Sequence, residues 1–288
     1  MKKFPSIPRI SNAPETFLKQ GRLWILEKVD GANFRFQLHR SGRIRFGDRS
    51  RVYEDPDDVP GPYQHAVRHV QEHLDRNALR RAVDDVKDFV FFGEAMHHHT
   101  IAYDWDRTPS FLGFDVWSDS AEGFRPPAAV EQIFGRVGLQ PVNVFEQDVP
   151  AETFDPDSYS IPQSEWYDGP AEGVILRNEQ DERAKLLHPD FREVDETIPV
   201  DGSATELAAK YATQHRFEKL AGKLKDRGRP VTFSLLYDRV LEDIVREEHK
   251  QLHHGDRTVD MRAFRAEVAA RTRKFLDTDD HAVYEDDR

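Results

Sequence analysis

The sequence predicts a β-rich α+β domain over residues 1–195 followed by a small all-helical domain over residues 196–288. Two observations carry this. Up to about Phe191, short apolar or alternating runs of strand length are separated by Gly-, Pro- and Asp-rich turns, with few helical stretches between them. Beyond "HPDFREVDETIPVDGS" the texture changes to three long stretches of helical period. A chain of 288 residues is long enough to give each part its own core.

Taken in order, Leu23 to Phe46 reads as two or three strands, with "RSGR" around Gly42 as a hairpin turn. "EDPDDVPGPY" is a loop. From Tyr63 to Val86 one helix is expected, because Ala66, Val67, Val70, Leu74, Ala78, Leu79 and Val83 fall on one face. "FVFFGEA" and "SFLGFDVW" are buried strands. "PPAAVEQIFGRVGL" opens on prolines and ends near Gly138, as a short helix does. "AEGVILR" and "RAKLL" form a further pair of strands. "TELAAKYATQHRFEKLAGKLKDRG", "FSLLYDRVLEDIVREEHKQL" and "DMRAFRAEVAARTRKFL" are the three helical patterns, and "DTDDHAVYEDDR" is an acidic, fraying tail.

Composition narrows the function classes. Hydrophobic residues make up 38% and charged residues 33%, the balance of a globular protein with a heavily charged surface. No apolar run reaches membrane-span length, and "MKKFPSIPRI" lacks the apolar core of a signal peptide, so a cytoplasmic protein is expected. The absence of cysteine excludes disulfides and thiolate metal sites. The net charge of −12, from 53 acids and 41 bases, argues against bulk nucleic-acid binding but leaves room for a local basic groove. Arginine outnumbers lysine and aspartate is abundant, a mix that suits a GC-rich or a salt-adapted source. Nothing calls for an obligatory protein partner.

Chemistry is signalled by charges placed where a core does not want them. "WILEKVDGANFRF" interrupts an apolar strand with Lys28-Val29-Asp30-Gly31. Glu94 ends the apolar strand "FFGEA". Phe114 and Asp115 follow "FLG", Glu172 and Gly173 stand at the mouth of "GVILR", and Lys185 lies inside "RAKLL". Each has a plainer reading: Lys28 as a solvated strand end, Glu94 as a salt-bridged carboxylate, Phe114 as a core aromatic with Phe111 as its competitor.

The order Lys-x-Asp-Gly, Gly-Glu, Phe-Asp, Glu-Gly-Val-Ile-Leu and a strand lysine resembles the covalent nucleotidyltransferases, the polynucleotide ligases and mRNA capping enzymes. The resemblance spans roughly Trp24 to Phe191. "EKVDGANF" looks most like the RNA ligase branch typified by the phage enzyme that seals nicks in duplex RNA. That branch carries an asparagine soon after the nucleophile, matched by Asn33, and an arginine on the next strand, matched best by Arg49 with Arg51 beside it. The resemblance implies a nucleotidyltransferase (adenylation) domain of antiparallel sheets with flanking helices. It implies attack by Lys28 on the α-phosphorus of ATP to give lysyl-AMP, with Mg²⁺ or Mn²⁺. Such an amine must shed its proton, which neighbouring cations favour, and Lys185 is the implied second cation. Glu94 and Glu172 would hold the ribose or metal-bound water. Phe114 would stack on adenine, with Glu27 at the edge of the base and Asp30 in the nucleotide site. Asn33, Arg49 and Arg51 would serve RNA, whose 3′-OH and 5′-phosphate ends are the substrate.

The pattern is departed from in one place. The last strand motif usually has two lysines one residue apart. Here Lys185 is followed by Leu187, or else Arg183 and Lys185 form the pair, and arginine does not replace lysine at such a site. Strand alternation would set Arg43, Arg45, Arg49 and Arg51 in one phosphate-binding stripe, unless a turn at "GD" breaks the register. His97, His98 and His99 tempt a zinc reading, but three consecutive histidines do not share a face and a loop beside the pocket is expected. The basic stretch "KYATQHRFEKLAGKLKDRG" either touches RNA or is a solvated helix face. A helical appendage and Asn33 weigh against a DNA ligase or a GTP-dependent capping enzyme, whose added domain is commonly a small β-barrel. Leu187 is the support for a non-catalytic RNA- or nucleotide-binding relative.

Overall fold

The structure is a computed structural model that describes residues 1–191, 202–252 and 259–278. It divides into two compact units, Met1–Val194 and Asp195–Arg288. The first holds ten strands among the described residues: β1 (Arg22–Lys28), β2 (Ala32–Leu38), β3 (Ile44–Asp48), β4 (Val52–Tyr53), β5 (Phe89–Ala95), β6 (Phe111–Ser118), β7 (Gly123–Phe124), β8 (Val144–Pro150), β9 (Gly173–Asn178) and β10 (Arg183–Leu187). They form two antiparallel sheets, ordered β10-β9-β1-β8 and β4-β3-β2-β5-β6-β7.

Alternation sorts the side chains of each sheet. Phe34, Phe36 and Leu38 of β2, with Phe91, Phe111 and Val116, bury one face of the six-stranded sheet against α1 (Gln64–His73), α2 (Arg76–Ala82) and α3 (Pro127–Arg136). Leu23, Ile25, Val174, Leu176 and Ala184 bury one face of the four-stranded sheet under Phe17, Ala151 and Phe154. The opposite faces are polar, carrying Lys28, Arg177, Arg183 and Lys185 in one sheet and Asn33, Arg35 and Glu94 in the other. They turn toward each other, for Arg177 and Arg183 of the smaller sheet reach Asp115 of the larger at 2.9 and 2.6 Å. Asp115 and Arg177 are each about 98% buried and Arg183 nearly so.

The single helix expected from Tyr63 to Val86 is two. The chain leaves the helix at Leu74, and the Asp75 carboxylate accepts from the amides of Asn77 and Ala78 to start α2. An aspartate cap competes well with helix continuation, and Leu74 and Leu79 enter one core, so the apolar spacing persists across the break.

The second unit contains α4 (Ala204–Tyr211), α5 (Gln214–Asp226), α6 (Phe233–Glu247), α7 (His249–Leu252) and α8 (Met261–Thr278). Leu207, Phe217, Leu236, Ile244, Phe264 and Phe275 lie in its core. Ser203 and Glu206 form a capping box at α4. The stretch expected as one helix from Thr205 to Gly228 breaks at Thr213, whose hydroxyl caps α5. Residues 279–288 of the acidic tail lie outside the described residues. Among the described residues no helix is long and apolar enough to cross a membrane.

Part of the basicity of α5 is neutralised within this unit. Arg216 pairs with Asp243 at 2.6 Å and Glu247 at 2.9 Å, and Lys219 lies 3.7 Å from Glu247. Arg216→Ala would strip the largely buried Asp243 and Glu247 carboxylates of their close guanidinium partner, with Lys219 remaining 3.7 Å from Glu247. The expected loss is about 2–4 kcal/mol of stability, read as a lower urea midpoint of the helical circular-dichroism signal in the full chain. An unchanged midpoint would contradict this pairing.

Candidate active site

β1 and β2 belong to different sheets, and the interruption at Lys28-Val29-Asp30-Gly31 is the crossing between them. Each residue of the crossing is held. Val29 is buried with Met96, Ile101, Tyr103 and Leu112. The Asp30 carboxylate accepts from the amides of Thr100 and Ile101 at 2.6 and 2.8 Å, and the Asp30 amide donates to the Tyr103 hydroxyl at 2.7 Å. At Gly31 a Cβ would stand 2.9 Å from the Ala95 carbonyl oxygen, so the close approach to β5 requires glycine. Lys28 is therefore set where the two sheets meet.

Its amine lies 2.5 Å from Glu172 Oε1, with 24% and 14% of the two side chains exposed. Register explains the contact, since Lys28 pairs with Gly173, the neighbour of Glu172. Across the space, Asn33 and Glu94 are cross-strand partners on β2 and β5. Burial pushes the Glu94 carboxyl up to about 8, the Lys28 charge opposing and Glu172 and Asp30 adding to the rise. Burial likewise lifts Glu172 to about 6, against the pull of Lys28, with Asp30 adding and Lys185 opposing. Glu94 Oε2, Glu172 Oε2 and Asn33 Oδ1 are buried and find no hydrogen-bond partner among the described residues. An oxygen-only set rich in carboxylate is what Mg²⁺ or Mn²⁺ takes, so the residues present fit such an ion.

A pH dependence follows for the metal-free protein. A carboxyl whose folded value, about 8, lies above its ordinary 4.5 binds more protons folded than unfolded. Its contribution is full below about 4.5 and is lost as pH rises through about 8. Thermal midpoints measured from pH 5 to 9 in a chelator are expected to fall with rising pH in the native chain and less so in Glu94→Gln. Parallel profiles would refute this assignment.

Val29, the residue after Lys28, joins an apolar cluster with Leu26, Leu112, Phe114, Val142 and Trp166. β5 and β6 pair Gly93 with Gly113 but Phe92 with Asp115, so Phe114 is the extra residue of a β-bulge. The bulge turns it out of the helix-packed core, a common device for re-aiming a side chain. Phe111, its competitor, is fully buried in that core against Phe36 and Phe134. Glu27 alternates away from Lys28 and is buried, accepting from Ser164 Oγ at 2.5 Å and the Glu165 amide at 3.3 Å, and burial raises its carboxyl.

The four arginines do not form one stripe. β3 ends at Asp48, whose carboxylate accepts from the amides of Ser50 and Arg51, both at 2.7 Å, and from the Tyr53 hydroxyl at 2.6 Å. That turn ends the alternation. Arg43 and Arg45 pair with Asp55 and Glu54, and Arg51 is exposed. Arg49 acts electrostatically on Glu94 and donates to Ser6 Oγ at 3.2 Å. The registry with Arg183 as a site cation also falls, because Arg183 is committed to Asp115 and Asp181. Lys185 acts on Glu172, while Leu187 faces the same side and pairs with Gly173, so the departure at Leu187 stands. Of the three histidines, the outer two do converge, with His97 and His99 Nε2 atoms 3.0 Å apart.

Sequence reasoning missed the bridge of Asp115, Arg177 and Arg183. The available signal was three charges of opposite sign inside apolar strands, which must be paired to be buried.

A family model described as RNA ligase matches residues 21–190. Among solved structures, an archaeal ATP-dependent RNA ligase is similar at 20% identity, covering 96% of this chain and 65% of that one, with a TM-score of 0.49. A variant of the Naegleria gruberi RNA ligase with ATP and Mn is similar at 12% identity, covering 66% of this chain and 57% of that one, with a TM-score of 0.51. The latter likeness is one of fold. The chain thus spans less than two thirds of the length of either structure. No curated protein sequence matches it.

Proposed function

The chain belongs to the RNA ligase family of covalent nucleotidyltransferases, and from that membership we propose that it is an ATP-dependent RNA ligase acting through Lys28. The observation that carries the reading is the Lys28 amine at the sheet crossing, 2.5 Å from Glu172 and grouped with the unpartnered carboxylate oxygens of Glu94 and Glu172.

In the first step Lys28 Nζ attacks the α-phosphorus of ATP, a P–N bond forms and pyrophosphate leaves with the electron pair of the broken P–O bond. Glu172 aims the amine, the ammonium proton passes to solvent before the attack, and the Glu172 carboxylate keeps its charge for the ion or ribose. Lys185 offsets the negative charge of the α-phosphate. Glu94 and Glu172 would hold Mg²⁺ or Mn²⁺, which when bound would supply Lewis-acid neutralisation of the phosphates. Phe114 stacks on adenine, Glu27 stands behind the edge of the base, and Asp30 keeps the crossing in place. In the second step an RNA 5′-phosphate oxygen takes AMP from Lys28. In the third a 3′-hydroxyl attacks the adenylylated phosphate, forming the phosphodiester and releasing AMP. Asn33, Arg49 and Arg51 serve these last two steps.

Asn33 supports the nick-sealing branch, and rejoining cleaved RNA is the role such ends imply. The helical second unit contributes to the choice of RNA end. Sealing of a nicked RNA duplex bearing 3′-OH and 5′-phosphate ends, with ATP and Mg²⁺ or Mn²⁺, tests the reading. Product with ATP and none with GTP is expected; product only on DNA, or only with GTP, would refute it. Leu187 in place of a second lysine favours a second reading, a relative that binds RNA and nucleotide without turnover.

A further inference from the structure

Arg35 is a buried cation with no ion-pair partner among the described residues. It lies on β2 two residues beyond Asn33, on the same face by alternation, and is fully buried. Its Nε and Nη1 find no hydrogen-bond partner among the described residues, and Nη2 reaches only the Arg51 carbonyl at 3.4 Å. The acid that acts on it, Asp48, has committed its oxygens to Ser50, Arg51 and Tyr53. A guanidinium cannot be relieved by losing its proton. Left unpaired in a core it destabilises the fold, and an apolar side chain of similar length would serve packing better. The fold nevertheless makes room for it: Gly47 is its cross-strand partner, and a Cβ there would stand 3.1 Å from Arg35 Nε. Unpaired polar groups of this kind mark places completed by a ligand.

The position says which ligand. Asn33 pairs across the sheet with Glu94, and Arg49 acts on Glu94, so Arg35 continues that face one pleat farther from Lys28. Segment 1–9 passes over this face. The Phe4 ring packs on Phe92, the other cross-strand neighbour of Arg35, at 5.1 Å. Ser6 accepts from Arg49, and the Pro8 carbonyl accepts from the Lys185 amide at 2.8 Å.

We propose that Arg35 binds a backbone phosphate of the polynucleotide beside the end being joined, and that the segment around Phe4 and Ser6 is the cover this strand displaces. The identity of the ligand rests on the RNA ligase reading above; the unpaired guanidinium does not. ATP offers the same phosphate chemistry, but the place of Arg35 beyond Asn33 favours the polynucleotide.

The test uses the full chain and Arg35→Met. Binding of a nicked RNA duplex with a 5′-phosphate is followed by fluorescence anisotropy in chelator without ATP, across a salt series. The variant is expected to bind about 10-fold more weakly, with a salt slope lower by about 1. Its melting midpoint without RNA is expected to rise by about 2–4 °C, which loss of a merely structural contact would not produce. Its uptake of AMP from ATP is expected to stay within about threefold of the native chain. Unchanged nick affinity, a lowered midpoint, or a loss confined to the ATP step would each overturn the proposal. A native chain that binds the nick but takes up no AMP would fail the ligase reading alone.

Discussion

Lys28→Ala is expected to abolish AMP uptake from ATP, by at least about 1,000-fold, while leaving the chain folded. Removing a nucleophile removes the covalent step. Lys185 is on another strand and Leu187 occupies the next inward position. The lost pair with Glu172 is itself tolerable, because burial already lifts that carboxyl to about 6 and protonation relieves it. The same variant is expected to join an RNA nick whose 5′-end already carries AMP, because the last step does not use the amine as nucleophile. Label transfer and sealing of the adenylylated nick, run side by side, check both halves. Retained labelling would remove Lys28 from its role, and loss of both activities with loss of the fold would make it structural.

Asp115→Asn is expected to cost about 3–5 kcal/mol of stability. Asp115 lies between Arg177 and Arg183 with all three side chains almost wholly buried. Burial raises its carboxyl and the two arginines oppose that rise. An amide keeps the shape and drops the charge, leaving two guanidinium groups to share the single carboxylate of Asp181. Arg177 retains the Arg125 carbonyl at 2.5 Å, and Arg183 retains Asp181 at 2.7 Å and stacks over Phe124 at 4.3 Å. These contacts do not replace the lost charge. Because the bridge joins the two sheets, AMP uptake is expected to fall with the fold. Urea unfolding followed by tryptophan fluorescence checks the cost, and a shift below about 1 kcal/mol would show that the bridge is not a clamp.

The strands that frame the site were legible because each is a dense apolar or alternating run: β1, β2, β5, β6, β9 and β10 all show one. β8 was missed. "VFEQDVP" carries Glu146, Gln147 and Asp148 on the exposed edge of the smaller sheet, so neither strand period nor apolar content announces it. Helix breaks at Asp75 and Thr213 were missed because apolar spacing continues across a cap when both helices feed one core. In the site, Lys28, Glu94 and Glu172 stood out as charges in apolar strands, and the structure brings them together. Which of Phe111 and Phe114 faces the cleft depended on a bulge between β5 and β6, a property of pairing that one strand does not carry. Arg35 reads as an ordinary polar step in "NFRFQ"; its burial is a property of the folded protein that one strand does not carry.

Transfer of AMP from ATP to the Lys28 amine is the first step the proposed mechanism requires. The direct measurement is the intact mass of the protein after incubation with ATP and Mg²⁺ or Mn²⁺, followed by peptide mapping. A gain of one AMP, released by acid and located on the peptide containing Lys28, is the predicted result. AMP on another residue, or no adduct on folded protein that was free of AMP at the start, would contradict it.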